Sequence, residues 1–223
     1  MSIDAVETER SPLDRPSTAE RAADVLRDRI AEGYYRPGSR LSEDALCGEL
    51  RISRNTLREA FQMLTHERLL SHEPYRGVSV RVLTAQDVID LYRVRKVIEC
   101  GAVSAGSTGD LDRVAAAVAE GELAETDEDW QGLGTANIHF HQALVALAGS
   151  PRLVDLMRGI LAELRLVFHV MSDARRFHEP YLARNRDLLE LLRAGDRAAA
   201  VESLSEYLDI AERQLVDEFT RAG

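Results

Sequence analysis

The sequence is short of several things, and each shortage excludes something. It has only two cysteines, Cys47 and Cys100, far apart and with no CxxC spacing. No disulfide framework organises the fold, and the chain reads as a reduced, cytoplasmic protein. No apolar run approaches the roughly 18 residues of a membrane span. The opening MSIDAVETER is acidic and has no apolar stretch of the kind a secretory signal needs. Aromatics are only 5% of residues, while Ala, Leu, Arg, Glu and Asp stretches abound, which favours helix. No internal repeat and no low-complexity tract is present. HExxH, GxSxG and glycine-rich phosphate loops are all missing, so an enzyme reading has no nucleophile–base or metal constellation to rest on. Finally, there is no basic excess. A net charge of −10 excludes a chain-wide nucleic-acid coat but leaves room for a local DNA-reading surface.

What is present is globular: 223 residues, 45% hydrophobic and 30% charged, enough for one large domain or two small ones. Charge divides the chain. Residues 1–83 carry 13 arginines against 14 acidic residues, whereas 84–223 carry 15 basic against 24 acidic. Within 51–81, six arginines face three glutamates. A near-neutral segment with a basic stretch therefore precedes a strongly acidic one, and two domains with different partners are expected. Residues 1–16 read as a flexible N-terminal extension, 17–83 as the first domain and 84–223 as the second.

The first domain punctuates itself. Ser17-Thr18-Ala19-Glu20 is a capping box, opening a helix with Ala22, Leu26 and Ile30 on its apolar face and an end near Gly33. Arg36-Pro37-Gly38-Ser39 is a turn. Ser42 caps a second helix, with Glu43 and Asp44 favourably placed in its first turn and Leu41 stapled to Leu46. The chain breaks at Arg51-Ile52, and Ser53 caps a third helix buried through Leu57, Ala60, Phe61 and Leu64. Leu69-Leu70-Ser71 and the alternating Gly77–Val82 form a hairpin about 73–77. From Thr84 onward no strand is expected. A second capping box, Thr84 to Asp87, starts a helix to about Ala105, and further helices are expected near 110–123, 126–148, 151–172, 176–194 and 196–220.

Three helices and a two-stranded wing are the layout of a winged helix-turn-helix, which places its third helix in the major groove. Opposite the core stripe of that helix stand Arg54, Asn55, Thr56 and Arg58. Arginine pairs bidentately with guanine, asparagine with adenine, and hydroxyls at a helix N-terminus bond phosphate. On charge alone the face reads sooner as a solvated arginine-rich surface. Order and spacing shift that weighting towards DNA.

The set Pro37-Gly38-x-x-Leu41-Ser42-Glu43-x-x-Leu46, Ile52-Ser53-Arg54-Asn55-Thr56-Leu57-Arg58-Glu59-Ala60-Phe61-x-x-Leu64 and Pro74-Tyr75-Arg76-Gly77-Val78 resembles the GntR superfamily of bacterial transcription regulators over about 18–82. The resemblance implies DNA contacts from Ser53, Arg54, Asn55, Thr56 and Arg58, and from Arg76 and Gly77 at the wing tip. There are departures. Asp44 stands where several relatives carry a basic phosphate contact, Cys47 replaces a usual alanine, and Arg68 a usual glycine.

The helical second domain resembles the FadR-like branch with its FCD-type sensing bundle. Leu91-Tyr92-Arg93-Val94-Arg95-x-x-x-Glu99, Asn137-x-x-Phe140-His141-x-x-Leu144 and Leu188-x-x-Leu191-x-x-x-Gly195-Asp196 carry that likeness. Polar residues lie on its apolar faces: Arg95 and Glu99, Asn137 and His141, Asn185, and Tyr207. These six are the candidate effector-binding residues, because polar groups inside a bundle need partners. Four of them also have a plainer reading. Arg95 and Glu99 suit an i, i+4 ion pair, and His141 and Tyr207 suit hydrogen-bonded core residues. In many FCD relatives an Asp-x-x-x-His pair and two further histidines hold a divalent metal. The matching positions here are Asn137, His141, Asn185 and Tyr207, so the resemblance implies no metal and no cofactor at this site.

The expected fold class is thus mainly α: an N-terminal winged helix-turn-helix followed by an all-α helical bundle, ligand-sensing domain. The expected protein is no enzyme but a ligand-responsive transcription regulator, a repressor in sign, acting as a homodimer on a pseudo-palindromic double-stranded DNA operator. Its effector is a small organic molecule, an organic acid among the candidates, and no membrane is involved. Two alternatives stay open: a constitutive dimeric DNA-binding protein whose bundle only dimerises, and an enzyme built on the helical domain.

Overall fold

The structure is a computed structural model that describes residues 16–73, 75–106, 111–169 and 174–222. The N-terminal extension therefore lies outside the described residues, apart from Pro16. The chain divides into two compact units, Met1–Arg81 and Val82–Gly223.

In the first unit, α1 (Thr18–Ala31), α2 (Glu43–Leu50) and α3 (Arg54–His66) pack with three short strands, β1 (Arg40–Leu41), β2 (Leu70–Glu73) and β3 (Gly77–Val80). The caps are those the sequence announces. Ser17 and Glu20 close a reciprocal capping box, Ser42 accepts from the amide of Ala45, and Ser53 accepts from that of Thr56. Arg51 ends α2 at φ 54°, so the turn into α3 is made by a left-handed residue. Leu26, Ile30, Leu57, Ala60 and Leu64 are buried where α1 crosses α3. Each such leucine or isoleucine contributes about 1.5–3 kcal/mol by leaving water. Arg27 of α1 grips Glu67 through two bonds of 2.7 Å, pinning the end of α3.

One strand is additional to the expected pair. The hairpin of β2 and β3 is joined by β1, giving the antiparallel order β1-β3-β2 with Arg40 opposite Ser79. Two residues are too few to show an alternating pattern, so β1 has no signature in the sequence. Arg68 takes φ 59°, the left-handed region that suits the glycine usual there.

The second unit is helical throughout its described residues: α4 (Ala85–Ala105), α5 (Asp112–Thr126), α6 (Trp130–Ala146), α7 (Pro151–Phe168), α8 (Ala174–Arg193) and α9 (Arg197–Ala222). Thr84 and Asp87 complete the second capping box. Helix α6 starts at Trp130 rather than 126 because the Asp129 side chain accepts from the amide of Gly132 and sets the first turn there. The expected continuation of α7 beyond 169 lies outside the described residues. Helix α6 is buried on most sides, through Leu133, Ala136, Phe140, Leu144 and Val145 among others, which marks it as the central helix. It packs on α4, α5, α7 and α8.

Gly134 lets α8 approach closely, since a Cβ there would stand 2.8 Å from Nε2 of His178. Burial, helped by Arg165, pushes the His178 imidazole down to about 4. The unfolded chain then takes up a proton near its ordinary 6.5 while the folded one does not, so stability is lost as pH falls from 6.5 towards 4. At pH about 4.5 this one histidine is expected to cost about 2–3 kcal/mol. Urea unfolding at neutral pH and at that pH checks it: His178→Leu should lose visibly less stability between the two than wild type, and an identical loss would contradict the assignment.

Candidate functional site

Two places gather the candidate residues. On the first unit, the solvent side of α3 presents Arg54, Asn55 and Arg58, all exposed. Ser53 and Thr56 are partly engaged with each other, their hydroxyls 2.9 Å apart at the helix N-terminus. Arg54 Nη2 reaches Asp44 Oδ1 at 2.6 Å, and Arg58 reaches the Glu43 carboxylate at 3.1–3.3 Å. Both carboxylates come from the first turn of α2, where they also favour that helix's N-terminus. At the wing, Arg76 is exposed and pairs with Glu73 at 3.2 Å. Gly77 takes φ 83°, open to a glycine and strained for other residues. Two residues join this surface that sequence reasoning passed over. Arg40 of β1 lies against Gly77, 3.6 Å from where a Cβ would stand. Tyr75 is fully exposed at the wing tip with φ 67°. A large aromatic in a turn was the available signal for Tyr75; Arg40 had none beyond its charge.

On the second unit, the structure brings all six polar candidates into one network across four helices. Arg95 Nε donates to Glu99 Oε1 at 2.8 Å within α4. Glu99 Oε2 lies 2.6 Å from Nδ1 of His141 on α6. His141 Nε2 lies 3.1 Å from the hydroxyl of Tyr207 on α9, which donates to Asn137 Oδ1 at 2.9 Å. Asn185 Nδ2 of α8 donates to the same Asn137 oxygen at 2.8 Å. Arg95, Glu99, His141, Asn185 and Tyr207 are all at most 3% exposed.

The electrostatics assign protons. Burial pushes the Glu99 carboxyl up, but Arg95 and His141 outweigh it and hold it below its ordinary range. Burial pushes His141 down against the pull of Glu99, leaving the imidazole neutral with its proton on Nδ1, donated to Glu99. Burial pushes the Tyr207 phenol far up, so it stays protonated. Arg95 and Glu99 then cancel, and the network as a whole is neutral.

Its bonding is incomplete. The one Tyr207 proton faces two acceptors, Asn137 Oδ1 and His141 Nε2. Arg95 Nη2 and Asn185 Oδ1 are buried with no partner. Of the network, Arg95, Asn137, His141 and Tyr207 line a cavity, and Tyr92, Ile138, Leu161, Leu164, Phe168, Phe177, Tyr181 and Ala211 complete its wall, with the Arg95 guanidinium 4.7 Å from the Tyr92 ring centre. The cavity is about 10 Å³, close to the room one water needs. The donor set does not fit a divalent metal. One imidazole with both nitrogens engaged, two amides and a phenol held protonated are poor donors for such an ion, and the carboxylate beside them, Glu99, is taken by Arg95 and His141.

A winged helix-turn-helix with an exposed arginine face, followed by a helical unit built around a buried polar core, defines a DNA-reading regulator. The comparisons agree. The chain belongs to the GntR family of bacterial regulatory proteins, matched over residues 18–80, and its second unit is an FCD domain, matched over 90–209. It is 30% identical to the Nta operon transcriptional regulator of Aminobacter aminovorans, over 67% of this chain and 73% of that one. It is 24% identical to the gluconate operon transcriptional repressor of Bacillus subtilis, over 92% and 88%. A GntR regulator structure from Rhodococcus sp. RHA1 shares 50% of residues and superposes with a TM-score of 0.87, covering 91% of this chain and 99% of that one. The protein is a transcription regulator, not an enzyme. Among the described residues no helix is long and apolar enough to cross a membrane.

Proposed function

We propose that the protein is an effector-responsive repressor that binds a pseudo-palindromic operator as a homodimer in the cytoplasm, and that its effector is a small organic acid bound directly, without metal, in the polar core of the second unit. Ser53, Arg54, Asn55, Thr56, Arg58, Arg76 and Gly77 contact the DNA. Arg95, Glu99, Asn137, His141, Asn185 and Tyr207 contact the effector.

The observation that carries the sensing role is the pair of buried, unpartnered atoms, Arg95 Nη2 and Asn185 Oδ1, in one core. A buried polar atom without a partner costs about 1–3 kcal/mol. A carboxylate on Nη2 and a hydroxyl on Oδ1 remove both costs at once. A further hydroxyl supplies the donor that His141 and Asn137 share too thinly. The relatives named for operons of sugar acids, the gluconate repressor and a galactonate operon repressor of Escherichia coli at 26% identity, support both the repressor sign and a polyhydroxy acid. Since the cavity now holds about one water's volume, the core expands to admit such a molecule.

Thermal shift against a panel of small carboxylic and sugar acids tests this. A compound that stabilises the wild-type chain should lose its effect in Asn137→Leu and Asn185→Leu, while operator binding survives in both. An unchanged shift in both variants would move the sensing site elsewhere.

A further inference from the structure

We infer that Asp44 is a specificity-determining residue of the DNA reader: its carboxylate positions Arg54 for base recognition and repels phosphate, so the reader gives up non-specific affinity for discrimination. The inference rests on α3 being the helix that enters the major groove. Asp44 and Arg54 belong to different helices, and the Ser42 and Ser53 caps set the starts of both. Their ion pair, 2.6 Å long, is well exposed on both sides, at 76% and 65%. A pair so placed contributes little to folding. Helix α2 does not need Asp44 for its N-terminus either, because Glu43 supplies a carboxylate in the same turn. What Asp44 does change is the guanidinium beside it.

Arg54 spends Nη2 on Asp44. The other donors of its planar fork stay available for an acceptor pair such as guanine O6 and N7. A guanidinium held on one edge loses less rotational freedom when its other edge meets a base. On a correct base Arg54 thus keeps the carboxylate and gains the guanine. On an incorrect sequence the free alternative is a phosphate, and there the Asp44 charge opposes the approach. Phosphate attraction is the part of binding that carries no sequence information. An acid that weakens it selectively raises discrimination. Glu43 does not substitute, since its carboxylate is turned to Arg58.

The test uses the full chain. A duplex is selected by the wild type from a randomised pool, and anisotropy gives affinities for it and for a scrambled duplex across a salt series. In Asp44→Asn, scrambled-DNA affinity should rise about fivefold or more at low salt. The salt slope on that duplex should steepen by about one. Affinity for the selected duplex should rise less, so the ratio of the two falls severalfold. In Arg54→Ala the selected duplex should be lost preferentially, and adding Asp44→Asn should leave the ratio unmoved. If Asp44→Asn leaves the ratio unchanged, or strengthens both duplexes equally, while Arg54→Ala weakens binding, the inference fails and the reading of α3 stands. If Arg54→Ala binds the selected duplex as the wild type does, the reading of α3 itself fails and the inference with it.

Discussion

Glu99→Gln should destabilise the helical unit by about 3–5 kcal/mol, the usual cost of leaving one member of a buried ion pair uncompensated. Glu99 is fully buried and is the shared acceptor of Arg95 and His141. Glutamine keeps the shape but removes the charge, so Arg95 stays cationic at a buried site with no carboxylate to balance it. Urea denaturation followed by circular dichroism reads the loss in the transition of that unit. The double variant Arg95→Met/Glu99→Leu should recover much of it, because replacing a buried pair by apolar side chains is often close to neutral. A single variant within 1 kcal/mol of wild type, a threshold of about the size expected for an exposed pair, would mean that the carboxylate is not the charged centre of the core.

The second large effect is on DNA. Arg54→Ala and Arg58→Ala should each cost about 1–3 kcal/mol of binding to a duplex selected by the wild-type chain, roughly 5- to 150-fold. The double variant should approach the sum where the two contact separate groups. Folding should survive, because both side chains are more than half exposed, at 65% and 60%, and their ion pairs with Asp44 and Glu43 lie in solvent. Wild-type affinity in the double variant would remove α3 from the interface.

Local signals made much of the fold legible. Capping boxes at Ser17/Glu20 and Thr84/Asp87 mark helix starts because a side-chain oxygen three residues from its target shows in the sequence itself. The stripe Leu57, Ala60, Phe61, Leu64 fixes the buried face of α3, and hence the arginines that point away from it. Arg95 and Glu99 stood out because a charged pair interrupted an apolar face, although their spacing alone fits an exposed ion pair equally. What stayed hidden was long-range. The Asp44–Arg54 pair spans ten residues and two helices. Tyr181 and Phe177 reach the cavity from α8, and neither has a local pattern that separates cavity wall from core. His178, isolated in sequence, acquires its role only because Gly134 lets it pack on α6.

The central claim is that ligand occupancy of the polar core governs operator binding. The most direct test is operator affinity with and without a saturating compound from the thermal-shift panel, measured in the wild type and in Asn185→Leu. The account predicts that the compound changes wild-type affinity by about 5- to 150-fold, the range of ordinary allosteric coupling, and leaves Asn185→Leu unmoved. Wild-type affinity that stays constant at saturation would contradict it.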